Sequence, residues 1–427
     1  ITPPVFRRYL FLLLLALTVR TLFNTWAIET RDFIDLREVS RNVSHIILGL
    51  LLSLGIFISG YFLFQKGRKN LITRAVWLLL ISWFVTYLVL SASFTGLAIS
   101  LVVLVFLTPF LIRQATCRIV RWTLTIATVL LVMLPAWYLR GIIRDYYYIA
   151  PVEFSSLEMY TSKGNPYIHN YEAPGTENGN LLWIYIQWDE MREEWNRRSN
   201  IPFDSLDRSH HTLAYTAVHF LSSKGWRKDG DAIRQLSDRE ISAIEKGISN
   251  YLFMEGPGIR GRVYEFLKGY DTYLETGNPT GSTIMQRFEF WRASLGIIRG
   301  HWLTGVGTGD MNIAFEAQYE KMNSRLDPGQ RWRSHNQFLS IMVGFGVFGL
   351  LWFLTAVYLP PFMMKKERDF FAIILLMIST LAMLAEDTIE SQTGITFFVL
   401  FYSLFLFARF PYPGNREELR KQILNEQ

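Results

Sequence analysis

The apolar residues of this chain are gathered into long runs, and that clumping constrains the fold more than any motif does. A helix needs about 20 apolar residues to cross a bilayer. Runs of that kind occur at Tyr9 to Trp26, His45 to Phe64, Leu71 to Leu90, Leu97 to Ile112, Val120 to Leu139, Gln337 to Leu359, Phe370 to Ala385 and Gly394 to Phe410. They make eight candidate spans, two of them short, and place the chain among polytopic helical membrane proteins. A content of 50% hydrophobic and 15% aromatic residues in 427 is ordinary for that class and high for a soluble domain.

The first run lacks a small-residue cleavage site and is followed by a charged connector, Glu29 to Arg41, so it does not read as a cleaved signal peptide. The chain opens on Ile1 without a Met, and the expectation is that the natural N-terminus lies upstream. The single cysteine, Cys117, excludes a disulfide framework and a multi-cysteine zinc site. A net charge of +6 is modest and calls for no nucleic acid partner.

Short basic loops set the expected orientation, because Lys and Arg gather on the cytoplasmic side. Arg7 and Arg8; Lys66, Arg68, Lys69 and Arg74; Arg113, Arg118 and Arg121; Lys365, Lys366 and Arg368; and Arg416, Arg420 and Lys421 all fall on one side if every run is a crossing. Both termini are then cytoplasmic. The opposite side receives a long stretch from about Arg140 to Asn336. The expected organisation is N-terminal spans over 1–140, a loop domain over 141–336, C-terminal spans over 337–410 and a tail over 411–427.

A stretch of that length carries its own structure. Tyr146 to Gly179 reads as irregular, and Leu181 to Arg198 as an amphipathic helix lying on the membrane interface. Helical patterns recur at His211 to Ser222, Asp238 to Asn250, Gly261 to Thr276 and Thr283 to Arg299, with no strand-like alternation and no repeat. The whole is expected to be all-α, a helical membrane body with a helical cap.

Chemistry concentrates at the mouth of the sixth run. Arg325, Arg331, Arg333 and His335 crowd its lip, opposed only by Asp327. Guanidinium forks suit phosphate oxygens, and a histidine beside them can take or give a proton; snorkelling anchors would look the same. In MQRFEFWRASLGIIRG, Arg287, Trp291 and Ser294 share one helical face, while Glu289 and Arg292 point elsewhere. Glu386 and Glu390, four apart in EDTIESQ, share another face and offer carboxylates to sugar hydroxyls or to the arginines. LTGVGTGD implies close backbone turns. With no preceding strand and no Lys in the phosphate-loop position, it is not a nucleotide loop. His210, His211 and His219 lack the carboxylate or Cys spacing of a metal site.

Three segments, RFEFWRASLGIIRGHWLTGVGTGD, SHNQFLSIMVGFGVFGLLWFL and EDTIESQTGITFF, together resemble the O-antigen ligase and polymerase family of bacterial envelope glycan assembly. The resemblance is specific over about Ser282 to Phe401. It implies a GT-C-like membrane glycosyltransferase, without metal or other cofactor, acting at the periplasmic face of the bacterial inner membrane. The donor it implies is a glycan on undecaprenyl diphosphate, and the acceptor a lipid A core sugar or another carrier-linked glycan, with membrane lipid around both. The family's Arg falls on Arg287 and its His on His335. A further Arg that many members carry in a Ser-Arg-Gly turn is absent, because the turn here reads Ser93-Phe94-Thr95-Gly96.

On this reading Arg287 binds diphosphate and His335 acts as base or positions the hydroxyl. Asn336 orients His335 or a sugar; Glu386 and Glu390 bind the acceptor or hold an arginine. Arg333, Arg331, Arg292 and Arg262 are further candidates for substrate binding, Arg262, Arg292 or Arg140 replacing the missing charge. Ligation and polymerisation share these residues, so both stay open. A lipid-linked glycan transporter is a rival, although Arg20 is the only ionisable group deep in a proposed span. A non-catalytic scaffold is another.

Overall fold

The computed structural model of the protein describes residues 3–30, 44–65, 70–91, 93–173, 175–254, 258–366 and 369–408. Outside them lie residues 31–43 of the first connector, the basic residues Lys66, Arg68, Lys69, Arg368, Arg416, Arg420 and Lys421, and the tail 411–427.

The chain begins with α1 (Pro3–Thr30), α2 (His45–Phe64), α3 (Leu71–Leu90), α4 (Phe94–Gln114) and α5 (Arg118–Tyr147). A small antiparallel hairpin, β1 (Thr176–Glu177) and β2 (Asn180–Leu181), precedes α6 (Trp188–Arg198), α7 (Leu213–Ser223), α8 (Gly230–Gln235) and α9 (Asp238–Glu245). Then come α10 (Ile259–Thr276), α11 (Thr283–His301), α12 (Met311–Lys321), α13 (Gln337–Met363), α14 (Phe370–Ala385) and α15 (Gln392–Phe407). By its internal contacts the chain divides into two units, Ile1–Val129 with Tyr273–Gln427, and Leu130–Thr272.

In the first unit, α1 to α4 and α13 are long and apolar enough to cross a membrane, as is α5, which runs from this unit into the other; α14 and α15 are shorter apolar helices. All eight fall on the runs read from the sequence. Helix α2 packs against α1, α3, α4, α14 and α15. Around it Leu10, Leu50, Phe84, Val103, Ile378 and Phe405 close a core. Outward faces remain apolar, as at Leu79, Phe106 and Trp352, because hydrocarbon rather than water is the solvent they meet. Small residues let α2 and α4 touch backbone to backbone: a Cβ on Gly96 would stand 3.1 Å from the Gly49 Cα. Ser53 reinforces this contact, its hydroxyl lying 2.9 Å from Gly49 O and 3.0 Å from Gly96 O.

Helix α13 is interrupted. Gly346 has φ 63° and ψ −164°, outside any helical conformation. An interruption frees peptide groups that hydrocarbon cannot solvate, and here the turn after α11 takes them up. Val306 N–H donates to Val343 O and Gly307 N–H to Gly344 O, both at 2.9 Å, while Val347 N–H donates to Trp302 O at 2.8 Å. Backbones this close leave no room for side chains: a Cβ on Gly305 would lie 2.4 Å from Gly344 C, and one on Gly346 2.3 Å from Leu303 C. Gly305 of LTGVGTGD thus makes room for a backbone splice onto α13.

The second unit has a core of its own, built on Met191, Trp195, Phe203, Phe220, Leu221, Ile233 and Ile244. Two expectations are corrected here. Only Trp188–Arg198 is helical within the predicted 181–198 helix, and its apolar residues Met191 and Trp195 are fully buried in this core, so no apolar face is left for a membrane interface. Residues 182–185 instead form turns and bends after β2, with Leu182, Ile184 and Ile186 buried and Ile186 bridging to Ile168 and Lys228. Three of the four short helices begin at side-chain caps: Gln187 for α6, Asp229 for α8 and a Ser237–Glu240 capping box for α9.

The splice predicts that Gly346→Ala, which forces an L side chain into left-handed backbone and into Leu303, lowers stability by about 2 kcal/mol or more. Gly300→Ala, at a helical position with open space around it, changes little. Thermal melts of the two variants in detergent should differ by several degrees; coincident melts would refute the splice.

Candidate active site

The splice brings the end of α11 against the first turns of α13, and the loop between α14 and α15 comes to the same place. From α11, the Arg287 guanidinium donates to the Glu386 carboxylate and to the carbonyl of Ala385 at the end of α14. The other Glu386 oxygen lies 2.9 Å from His335 Nδ1. One carboxylate thus joins the cation of α11 to the imidazole before α13.

His335 sits at φ 45°, in the left-handed region, and its surroundings hold it there. Its backbone N–H donates to Asp387 Oδ2 at 3.1 Å, and its ring stacks on Phe290 with centroids 5.4 Å apart. Asp387 is fixed in turn by the Ser340 hydroxyl at 2.7 Å. Asn336 caps α13, its Oδ1 accepting from the Phe338 and Leu339 N–H groups at 3.1 Å, and its amide donates to Leu384 O at 2.9 Å. Gln337 accepts from Ile389 N–H at 2.9 Å. The loop after α14 is therefore tied to the start of α13 by successive side chains.

A carboxylate only accepts, so the proton of a neutral His335 sits on Nδ1 and the lone pair on Nε2. Nε2 has no hydrogen-bond partner among the described residues, and the side chain is 35% exposed. Arg287 uses part of its five-proton fork on Glu386 and Ala385, leaving further N–H groups for another acceptor. Burial opposes ionisation of Glu386, but the His335 hydrogen bond and the Arg287 charge outweigh it and hold its carboxyl below the usual range. For Asp387 and Glu390 burial prevails and pushes both carboxyls up, against the Ser340 hydrogen bond and the Arg333 charge respectively.

Among the candidates from sequence, Arg287, His335, Asn336 and Glu386 come together, and Arg333 pairs with Glu390 at 3.3 Å beside them. Arg333 also donates to Asn312 at 2.9 Å. The others have separate partners. Arg331 pairs with Glu316 and lies over the Tyr319 ring; Arg325 donates to Thr276 O; Arg292 lies 3.5 Å from Glu289. Arg140 and Arg262 belong to the Leu130–Thr272 unit, where Arg262 pairs with Glu265 at 2.8 Å. His219 contacts Glu177 at 3.2 Å, and among the described residues no three metal-ligating side chains converge.

One residue of the cluster, Asp387, escaped sequence reasoning. Asp387 was hidden because the i, i+4 pair of glutamates drew attention past it, whereas this segment is a capped turn and not a continuous helix. Glu289 turns inward, 3% exposed, to accept from Tyr273 at 2.9 Å and Ser324 at 3.1 Å.

Residues 243–354 match the family model for O-antigen ligase, a range that includes Arg287 and His335 and stops short of Glu386. A search of curated proteins finds no match to the chain.

Replacing Glu386 with Gln keeps the shape but removes the charge shared by Arg287 and His335. The expected loss is about 1–3 kcal/mol, below the figure for a fully buried pair because the Arg287 side chain is 28% exposed. A depressed carboxyl supplies its stability above the ordinary value of 4.5 and loses it as pH falls through the lower folded value. Melting curves of wild type and Glu386→Gln should therefore be separated at pH 7 and draw together in acid. Equal melts at pH 7 would show that the shared carboxylate stabilises nothing.

Proposed function

We propose, from the support that the family match gives for the O-antigen ligase and polymerase family, that this integral membrane protein transfers a glycan from undecaprenyl diphosphate to a lipid A core acceptor at the periplasmic face. The observation that carries the reading is Glu386 held between Arg287 and His335. Such a transfer needs a cation for the departing diphosphate and a base for the incoming hydroxyl, positioned beforehand. Arg287 would accept developing negative charge through its remaining N–H groups, with Arg333 nearby. The chain's own cations can take that role, so the reading calls for no metal.

His335 would receive the acceptor proton at Nε2, with Glu386 fixing the tautomer and supporting the imidazolium that forms, in the way a carboxylate orients a catalytic histidine. Bond formation between acceptor oxygen and anomeric carbon accompanies cleavage of the bond to the diphosphate oxygen. Asp387 positions His335 through its backbone N–H and touches no substrate in this scheme. The exposed apolar faces of the spanning helices would meet the polyprenyl chain.

The test supplies purified protein in lipid with an undecaprenyl diphosphate oligosaccharide and a lipid A core acceptor, and separates products by size. A single shift of the acceptor supports the ligase, and a ladder on the carrier would point to a polymerase. His335→Ala should lower turnover by at least about 100-fold. Arg287→Lys, which cannot hold Glu386 and a diphosphate in one planar fork, should lose about tenfold or more. No product with either acceptor, or full turnover in both variants, would overturn the assignment.

A further inference from the structure

The turn-rich segment 182–187 of the Leu130–Thr272 unit buries Leu182, Ile184 and Ile186 and leaves Trp183, Tyr185 and Gln187 half-buried. Tyr185 has φ 56°, a left-handed backbone that a bulky L residue rarely adopts. Neighbours hold it there. Its N–H donates to His169 Nδ1 at 3.2 Å, and its carbonyl accepts from Lys228 N–H at 2.9 Å. Because His169 Nδ1 accepts, its Nε2 carries the proton, which goes to the Glu158 carbonyl at 3.0 Å.

The Tyr185 ring stands edge to face with His169 at 5.0 Å and with Tyr167 at 5.6 Å. The Arg227 guanidinium carbon is 5.6 Å from its centroid and is paired with Glu158. Next along the segment, Trp183 meets the exposed Tyr215 edge to face at 5.8 Å. Backbone strain at an aromatic, where glycine would sit without strain, is a cost that a binding role would offset. Apolar ring surface beside hydrogen-bonding groups matches a pyranose, which has a C–H face and a rim of hydroxyls. Glu158 neutralises Arg227, so the chemistry fits an uncharged sugar better than a phosphate.

We propose that Tyr185, with Trp183, Arg227 and Glu158, forms a saccharide-binding subsite that takes neutral pyranose units of the glycan being transferred. This rests on the glycan-transfer reading above and adds a second place where the chain recognises its substrate, apart from the charged cluster.

The test applies full-length protein in lipid nanodiscs to an array of neutral oligosaccharides released from bacterial O-antigens. Wild type and Gly300→Ala, a helical position with open space around it, should bind the same glycans. Tyr185→Gly removes the ring and relieves the backbone, so its melting temperature should hold or rise while binding weakens by about tenfold or more. Arg227→Ala, at a half-exposed position, should also weaken binding without unfolding. Absence of binding in wild type, or undiminished binding by Tyr185→Gly, overturns the subsite. Tyr185-dependent binding by a protein that transfers nothing would instead sink the transferase reading and leave the subsite standing.

Discussion

Glu386 is the group on which the charged cluster depends. An arginine and a histidine from separate parts of the chain would repel when both are charged, and neither would hold one orientation alone at a half-exposed site. A carboxylate between them sets both: one oxygen takes the Arg287 fork, and the other lies 2.9 Å from His335 Nδ1. The cost of burying that carboxylate is met by two partners at once, which is why its ionised form is favoured while burial pushes Asp387 and Glu390 the other way.

That arrangement needs α11, α13 and the loop after α14 to meet within hydrogen-bonding tolerance. Side-chain packing supplies part of this, through Phe290, Ala293 and Ile297 of α11 with Met311, Phe315 and Val343. The backbone splice supplies the rest. Breaking α13 at Gly346 releases peptide groups that can be satisfied only by another backbone at close range. The partner is the turn that follows the helix bearing Arg287. Glycine is required on both sides, and the interruption thereby becomes the fixed point that registers one helix against the other.

The Leu130–Thr272 unit is organised by different physics. It closes a core of buried aromatic and aliphatic side chains and caps its short helices with side chains, as a water-exposed domain does. Its polar groups are answered internally, as when Lys228 donates to Leu181 O at 3.0 Å and Ile184 O at 3.1 Å. Burial lowers the Lys228 pKa to about 8. Against that background Tyr185 keeps a left-handed backbone, with its ring beside the paired Arg227 and Glu158.

The sequence by itself determined the membrane-spanning helices, because a run of about 20 apolar residues has one good solution in hydrocarbon, and that solution is local. It also pointed to His335, Asn336 and Glu386, whose residue types and places beside the apolar runs are visible one at a time, and to Arg287 through the family resemblance. Only the tertiary structure decided that Glu386 serves both cations, that Asp387 holds His335, and that Arg331 and Arg292 have other partners. It also turned residues 182–187 from helix into turns and bends, with Ile186 paired to Ile168 and Lys228. These outcomes depend on which groups meet across tens or hundreds of residues, and no period or spacing along the chain encodes that.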